Sequence, residues 1–164
     1  MALIRIDHVP QTSKVNLPLN IIIPDPGQMK DIPVRDRKVL YLLHGLSDDA
    51  SAWQRYSSIE TYAVHYGLVV VMPSVSRSFY IDQPNGQDYF TYLAEELPQY
   101  LSDVFNLTPT RKNTVIAGNS MGGYGAFKLA FKYPERFFAA ASFSGFLSLA
   151  FIQANPDDPR IPEF

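Results

Sequence analysis

Ser120 stands in the pentapeptide Gly118-Asn119-Ser120-Met121-Gly122, where the apolar run 114–118 gives way to a helix-forming stretch. A hydroxyl flanked by glycines at such a junction suggests a phosphate cradle, a dinucleotide fingerprint or a nucleophile. A phosphate loop needs a lysine directly after its last glycine, and Gly123 is followed by Tyr124. A dinucleotide fingerprint needs a third glycine, but Gly123-Tyr124-Gly125 runs on into Ala126, Phe127 and Lys128. The spacing fits a nucleophile elbow, in which a sharp strand-to-helix turn strains the serine backbone and requires small residues two positions away on either side. The plainer reading is a Gly/Ser turn in which Ser120 only caps the helix.

A second motif, "YLLHGLSDDASAW" at 41–53, also ends an apolar run. Acyl transfer requires N–H donors fixed around a developing oxyanion. In the fold that carries the elbow, one donor follows the nucleophile and the other lies after the third strand, which here gives Met121 and Leu46. His44 reads as a structural imidazole shaping this loop rather than as a base. His44, Gly45, Trp53 and Tyr80 are expected near the substrate pocket, with core packing an equal alternative for Trp53 and Tyr80.

The elements that must position these groups alternate in period. Val15, Leu17, Leu19, Ile21 and Ile23 recur at every second position, predicting a half-buried strand paired with 2–9. The continuous apolar runs 39–45, 68–74, 114–118 and 138–145 predict strands covered on both faces, the parallel centre of a sheet. Ser57 and Glu60 have capping-box spacing at the start of one helix. Tyr89, Leu93, Leu97, Tyr100, Leu101 and Val104 form the stripe of another helix over 88–105, which Pro98 kinks or restarts. The result is a single α/β domain over 1–164.

The 164 residues are 46% hydrophobic, enough for a real core, and carry a formal net charge of −2 with no basic cluster, so nucleic acid and acidic membranes are not expected partners. No cysteine is present, which removes thiolate and disulfide chemistry. Arg5 and Asp7 interrupt the first ten residues, so no signal peptide is read and the cytoplasm is the expected compartment. Asp48 and Asp49 have no suitably spaced partners for a metal, and no cofactor is expected.

The motifs "YLLHGLSDDASAW", "LVVVMPS", "DYFTYLAEELPQYL", "IAGNSMGGYGAFKLA" and "AASFSG" together resemble the esterase D type of α/β-hydrolase, which includes S-formylglutathione hydrolases, acetyl and feruloyl esterases, and the tributyrin esterases of lactic-acid bacteria. The tributyrin branch looks closest. The resemblance implies an α/β-hydrolase fold with Ser120 as nucleophile and Leu46 and Met121 supplying the oxyanion-hole amides. It also implies hydrolysis of small, short-chain acyl esters through an acyl-enzyme. Formylglutathione hydrolases usually place a histidine before the nucleophile, whereas this chain has Asn119.

The triad of this fold runs in the order serine, acid, histidine. His8, His44 and His65 all precede Ser120, and the aspartates after it are Asp157 and Asp158 in a Pro-rich tail. Glu135 and Glu163 read as solvated. The acid, the base and the last strands are therefore expected beyond residue 164, with the 164 residues forming the N-terminal part of the domain, inactive or very weak alone. Its uncovered edge is expected to self-associate or to pair with the missing half. An acyltransferase on the same elbow and a catalytically silent binding relative are the alternative functions.

Overall fold

The computed structural model describes residues 1–29, 32–33, 36–148 and 150. Six strands form one sheet: Ala2–His8 (β1), Leu17–Ile23 (β2), Lys38–Leu43 (β3), Leu68–Pro73 (β4), Thr114–Asn119 (β5) and Ala139–Phe143 (β6). Their order is β1-β2-β4-β3-β5-β6. The first two form an antiparallel pair, β2 is antiparallel to β4, and β4, β3, β5 and β6 run parallel, as the apolar runs predict. The chain moves from β3 to β4 on one side and returns to place β5 on the other. Loops leaving the carboxyl ends of β3 and β5 therefore diverge, opening the crevice where open α/β sheets bind ligands. Ser120 and the 44–46 loop both lie at that crevice.

Helices Ala52–Tyr56 (α1) and Ile59–Tyr66 (α2) pack against Ile22, Leu42 and Val70 on one face. On the other, Val39, Tyr41 and Leu43 meet Leu93, Leu97, Met121 and Leu129. This double covering corrects the half-buried reading of β2, whose Asn20 and Ile22 are buried as well as Leu19 and Ile21. Asn20 tolerates burial because its Nδ2 donates to the Ala50 carbonyl at 3.1 Å and to Gln54 Oε1 at 2.9 Å. The expected capping box also gives way. Ser58 is the N-cap of α2 without a side-chain bond, Ser57 Oγ donates to the Trp53 carbonyl, and Glu60 accepts from Gln54 Nε2 at 3.1 Å. Ser57 is spent on the end of α1, and the N-cap position of α2 falls one residue later, at Ser58.

Pro98 restarts its helix, standing in the first turn of the α-helical segment that begins at Leu97. The segment runs α-helical over Tyr89–Thr91, π-helical over Tyr92–Glu96 and α-helical again over Leu97–Phe105, together α3. A proline at 98 removes the N–H that the Ala94 carbonyl would accept. The backbone widens, the Leu97 N–H reaching the Tyr92 carbonyl, and the Arg136 guanidinium donates to the orphaned Ala94 carbonyl from across the fold. Helix Met121–Lys132 (α4) follows the elbow directly. At the far side β6 is an edge strand and mostly exposed, so its run is not covered on both faces as the sequence suggests, and Phe138 and Phe143 are open to solvent.

The link between Pro98 and Arg136 has a measurable signature. In urea unfolding, Arg136→Ala is expected to cost about 1–3 kcal/mol by leaving a buried carbonyl unpaired. In a Pro98→Ala background, which restores the helical N–H, the cost falls below about 1 kcal/mol. Equal costs in both backgrounds would show that the guanidinium does not replace the missing bond.

Candidate active site

The elbow is built from backbone contact. Ser120 holds φ 52° and ψ −116°, a conformation that side-chain-bearing residues rarely adopt. Its N–H donates to the Phe143 carbonyl at 2.9 Å, tying the turn to β6, and its carbonyl accepts the Tyr124 N–H at 3.2 Å, starting α4. A Cβ on Gly118 would lie 2.2 Å from the Gly122 carbonyl oxygen, and one on Gly122 would lie 2.4 Å from the Leu43 carbonyl oxygen and 2.6 Å from that of His44. Only glycine lets the strand end, the helix start and the end of β3 come this close. Ser120 itself stays partly exposed. It is the N-cap of α4 by position, yet its side chain makes no capping bond, so the plain capping role does not account for the strain.

The loop after β3 is fixed by braces that come from after β4. The Val75 N–H donates to His44 Nε2 at 3.1 Å, so the ring proton sits on Nδ1, which donates to the Gly45 carbonyl at 2.8 Å. His44 is 1% exposed and has both ring nitrogens engaged. Burial holds its pKa below the ordinary histidine value, outweighing the Gly45 bond and the charges of Asp48 and Asp49. It is a neutral structural imidazole, as the sequence suggests. The Tyr80 hydroxyl donates to the His44 carbonyl at 2.9 Å, and the Tyr80 ring fills the space a Cβ on Gly125 would occupy, 2.4 Å from its nearest carbon. Tyr80 is fully buried, which corrects its placement near the substrate pocket. Its bracing role escapes sequence reading because it depends on left-handed backbone at Ser76, Phe79 and Tyr80, residue types that do not advertise it.

His44, Gly45 and Trp53 line a cavity of about 350 Å³ together with Asp48, Asn119 and Phe143. Trp53 Nε1 donates to the Leu43 carbonyl at 2.9 Å, and its ring meets Phe143 edge-on at 6.1 Å between centroids. A Cβ on Gly45 would approach Asn119 Nδ2 and Asp48 Oδ2, each at 3.5 Å, so the elbow and the 44–46 loop share this wall. Met121 is buried with its Sδ accepting the Phe79 N–H at 3.3 Å, and Leu46 packs half-buried on the main core. Asp49 accepts the Ser51 N–H and hydroxyl at 2.7 and 2.6 Å, bonds that lower its pKa and fit a solvated loop carboxylate. Among the described residues no group of three or more His, Asp or Glu side chains could hold a metal. Asp157, Asp158 and Glu163 lie outside the described residues.

The other two histidines are remote. His8, on β1, is four strands from β5, about 19 Å at the usual inter-strand spacing. There its Nε2 meets the Tyr92 hydroxyl at 2.9 Å. His65 ends α2 just before β4 begins, at the opposite end of the parallel strands from Ser120. None of the three histidines of the chain is placed to take the Ser120 proton.

The depressed pKa of His44 gives stability a direction with pH. The unfolded chain takes up a proton near pH 6.5 and the folded chain resists it, so stability is intact above about 6.5 and falls as pH drops toward the folded value. His8, also lowered mainly by burial, adds the same sign. Urea midpoints at pH 7.5 and 5.5 are expected to differ less in His44→Gln than in the parent chain; an unchanged difference would mean that His44 is protonated without penalty.

The Esterase family matches residues 14–160. An acetyl esterase of Caldicellulosiruptor saccharolyticus is 32% identical over 98% of this chain and 62% of its own length. A diacylglycerol acyltransferase/mycolyltransferase, Ag85C of Mycobacterium leprae, is 36% identical over 83% of this chain and 45% of its own. The fluorophosphonate-binding serine hydrolase FphF of Staphylococcus aureus superposes with a TM-score of 0.85 at 34% identity, covering 96% of this chain and 61% of that one. The S-formylglutathione hydrolase FrmB of the same organism gives 0.81 at 34%, covering 93% and 61%. The chain thus spans from under half to just over three fifths of these relatives. No helix among the described residues is long and apolar enough to cross a membrane. The sheet order, the strained serine and these matches agree that the chain belongs to the esterase family of α/β-hydrolases.

Proposed function

We propose that this chain carries the nucleophile half of a serine carboxylesterase acting on short-chain acyl esters. The observation that carries the reading is the Ser120 backbone at φ 52° and ψ −116° on a strand-to-helix turn. In this reading Ser120 Oγ attacks the ester carbonyl, the oxyanion accepts N–H groups from Leu46 and Met121, the alcohol leaves, and water releases the acid from the acyl-enzyme. The positive end of α4 lies beneath the oxyanion and favours it further. The cavity beside Gly45, Trp53 and Asn119 takes part of the substrate. No cofactor is required for this chemistry.

The acid and the base come from a segment outside these 164 residues. The placement of all three histidines supports this for the base, since His44 is locked and His8 and His65 are distant. The open edge of β6 is where that segment docks, in the same chain or as a second polypeptide. The relative named an acyltransferase makes transfer to an alcohol a second fate of the same acyl-enzyme, separated from hydrolysis by whether added alcohols outcompete water.

The 164-residue chain alone is expected to hydrolyse p-nitrophenyl butyrate orders of magnitude more slowly than the chain extended by the region its relatives carry. In the extended chain Ser120→Ala abolishes turnover. Full turnover by the bare chain, lost in His44→Ala, would place the base within these residues and overturn the proposal.

A further inference from the structure

The cavity beside the elbow has a wall whose chemistry the acyl transfer itself does not use. Trp53, Tyr56 and Phe143 bring three aromatic rings to it, and Asp48 and Asn119 meet it beside Gly45. The planes of Trp53 and Phe143 stand at 62° to one another, so the two rings make a corner rather than a stack. Phe143 is exposed and Trp53 half-buried, which leaves ring surface open to a ligand. The indole N–H is turned inward onto the Leu43 carbonyl. Trp53 therefore offers a ligand its π surface and no donor.

Charge in the cavity is one-sided. Among the described residues that line it, Asp48 alone carries a formal charge, since His44 is neutral with both ring nitrogens bonded. The Asp48 side chain is exposed, and among the described residues its carboxylate has no ion pair and no hydrogen bond from another side chain. Asp49 differs: it is committed to Ser51, and the Arg55 charge offsets it. Arg55 does not line the cavity, and its guanidinium lies over the Tyr56 ring, 5.3 Å from the centroid. Trp53 and Phe143 remain as the rings open to a ligand, with Asp48 as the unbalanced charge.

An aromatic corner beside a carboxylate suits a quaternary ammonium, whose diffuse charge is attracted by ring quadrupoles while its methyl groups pack against the faces. A carboxylate-bearing substrate would meet Asp48 with like charge and find no cation on the wall. A neutral alkyl group would fill the corner but leave Asp48 unused.

We propose that this cavity selects esters whose alcohol carries a quaternary ammonium of the choline type, the cationic head lying against Trp53 and Phe143 and beside Asp48. This rests on the esterase reading above. Ser120 Oγ bonds to the acyl carbon, the ester C–O bond breaks, and the alcohol leaves with the proton that Ser120 gives up through the base of the extended chain. The cavity borders Asn119, next to the nucleophile, and Gly45, next to Leu46, so a short alcohol held there stays beside the scissile bond.

The test compares butyrylcholine with 3,3-dimethylbutyl butyrate, the ester with carbon in place of the charged nitrogen, as substrates of the extended chain. The ratio of their kcat/KM values is expected to favour butyrylcholine by about fivefold or more at low salt and to shrink as salt is added. Asp48→Asn is expected to lower that ratio by about threefold or more, whereas Asp103→Asn, the same charge change on remote α3, leaves it as it is. Nuclear Overhauser contacts from the choline methyl groups to the Trp53 indole protons are expected in the same protein. Equal kcat/KM for the two esters, a ratio unmoved by Asp48→Asn, or choline contacts absent from Trp53 would each overturn the proposal. If neither ester is hydrolysed, or Ser120→Ala still hydrolyses the neutral one, the esterase reading fails instead, and the choline contacts still decide whether the cavity takes a cation.

Discussion

The close approach of Gly118 to Gly122 is the contact on which the rest depends. With no side chain on either residue, the end of β5 and the first turn of α4 come together in a space that one methyl group would close. That approach forces Ser120 into left-handed backbone, and the strain persists because its neighbours over-determine it: the Phe143 carbonyl holds its N–H and α4 begins at its carbonyl. Gly122 also rests on the carbonyls of Leu43 and His44, so the same tight packing that shapes the elbow sets its distance from the loop after β3.

The second constraint is that this loop cannot be left to itself. Gly45 offers no side chain to pack, and the loop is pinned through His44 on one side of it while Leu46 packs on the core on the other. The imidazole bridges Val75 and Gly45, and the Tyr80 hydroxyl holds the carbonyl. Tyr80 in turn sits in the notch that Gly125 leaves in α4, and Lys128 of the same helix donates to its carbonyl at 3.2 Å. The loops after β3 and β4 and the helix after β5 thus form one braced unit at the switch point of the sheet. Making His44 a base would require breaking that unit.

Much of this was legible in the sequence because it follows from short-range rules. Continuous apolar runs marked the parallel strands, small residues around Ser120 marked the elbow, and the order of the residues showed that all three histidines precede Ser120. What escaped depends on partners distant in the chain. Alternation along β2 could not reveal that Asn20 is buried, since its partners are Ala50 and Gln54. Ser57 and Glu60 had capping-box spacing but found partners in Trp53 and Gln54. Pro98 signals a kink or restart, and the α-helix does resume at Leu97 with Pro98 in its first turn; what the sequence does not show is the π-helical segment before it, with Arg136 supplying the missing donor. Tyr80 followed a strand end as a pocket residue would, and only the notch at Gly125 decided that it points into the core.

In the proposed site the strained Ser120 and the amides of Leu46 and Met121 act together on one acyl group. A crystal structure of the extended chain with Ser120 phosphonylated by a fluorophosphonate tests it most directly, because the phosphonyl oxygen stands in for the oxyanion. That oxygen is expected to lie about 2.7–3.1 Å from the amide nitrogens of both Leu46 and Met121. An adduct on another residue, or a phosphonyl oxygen turned away from either amide, would contradict it.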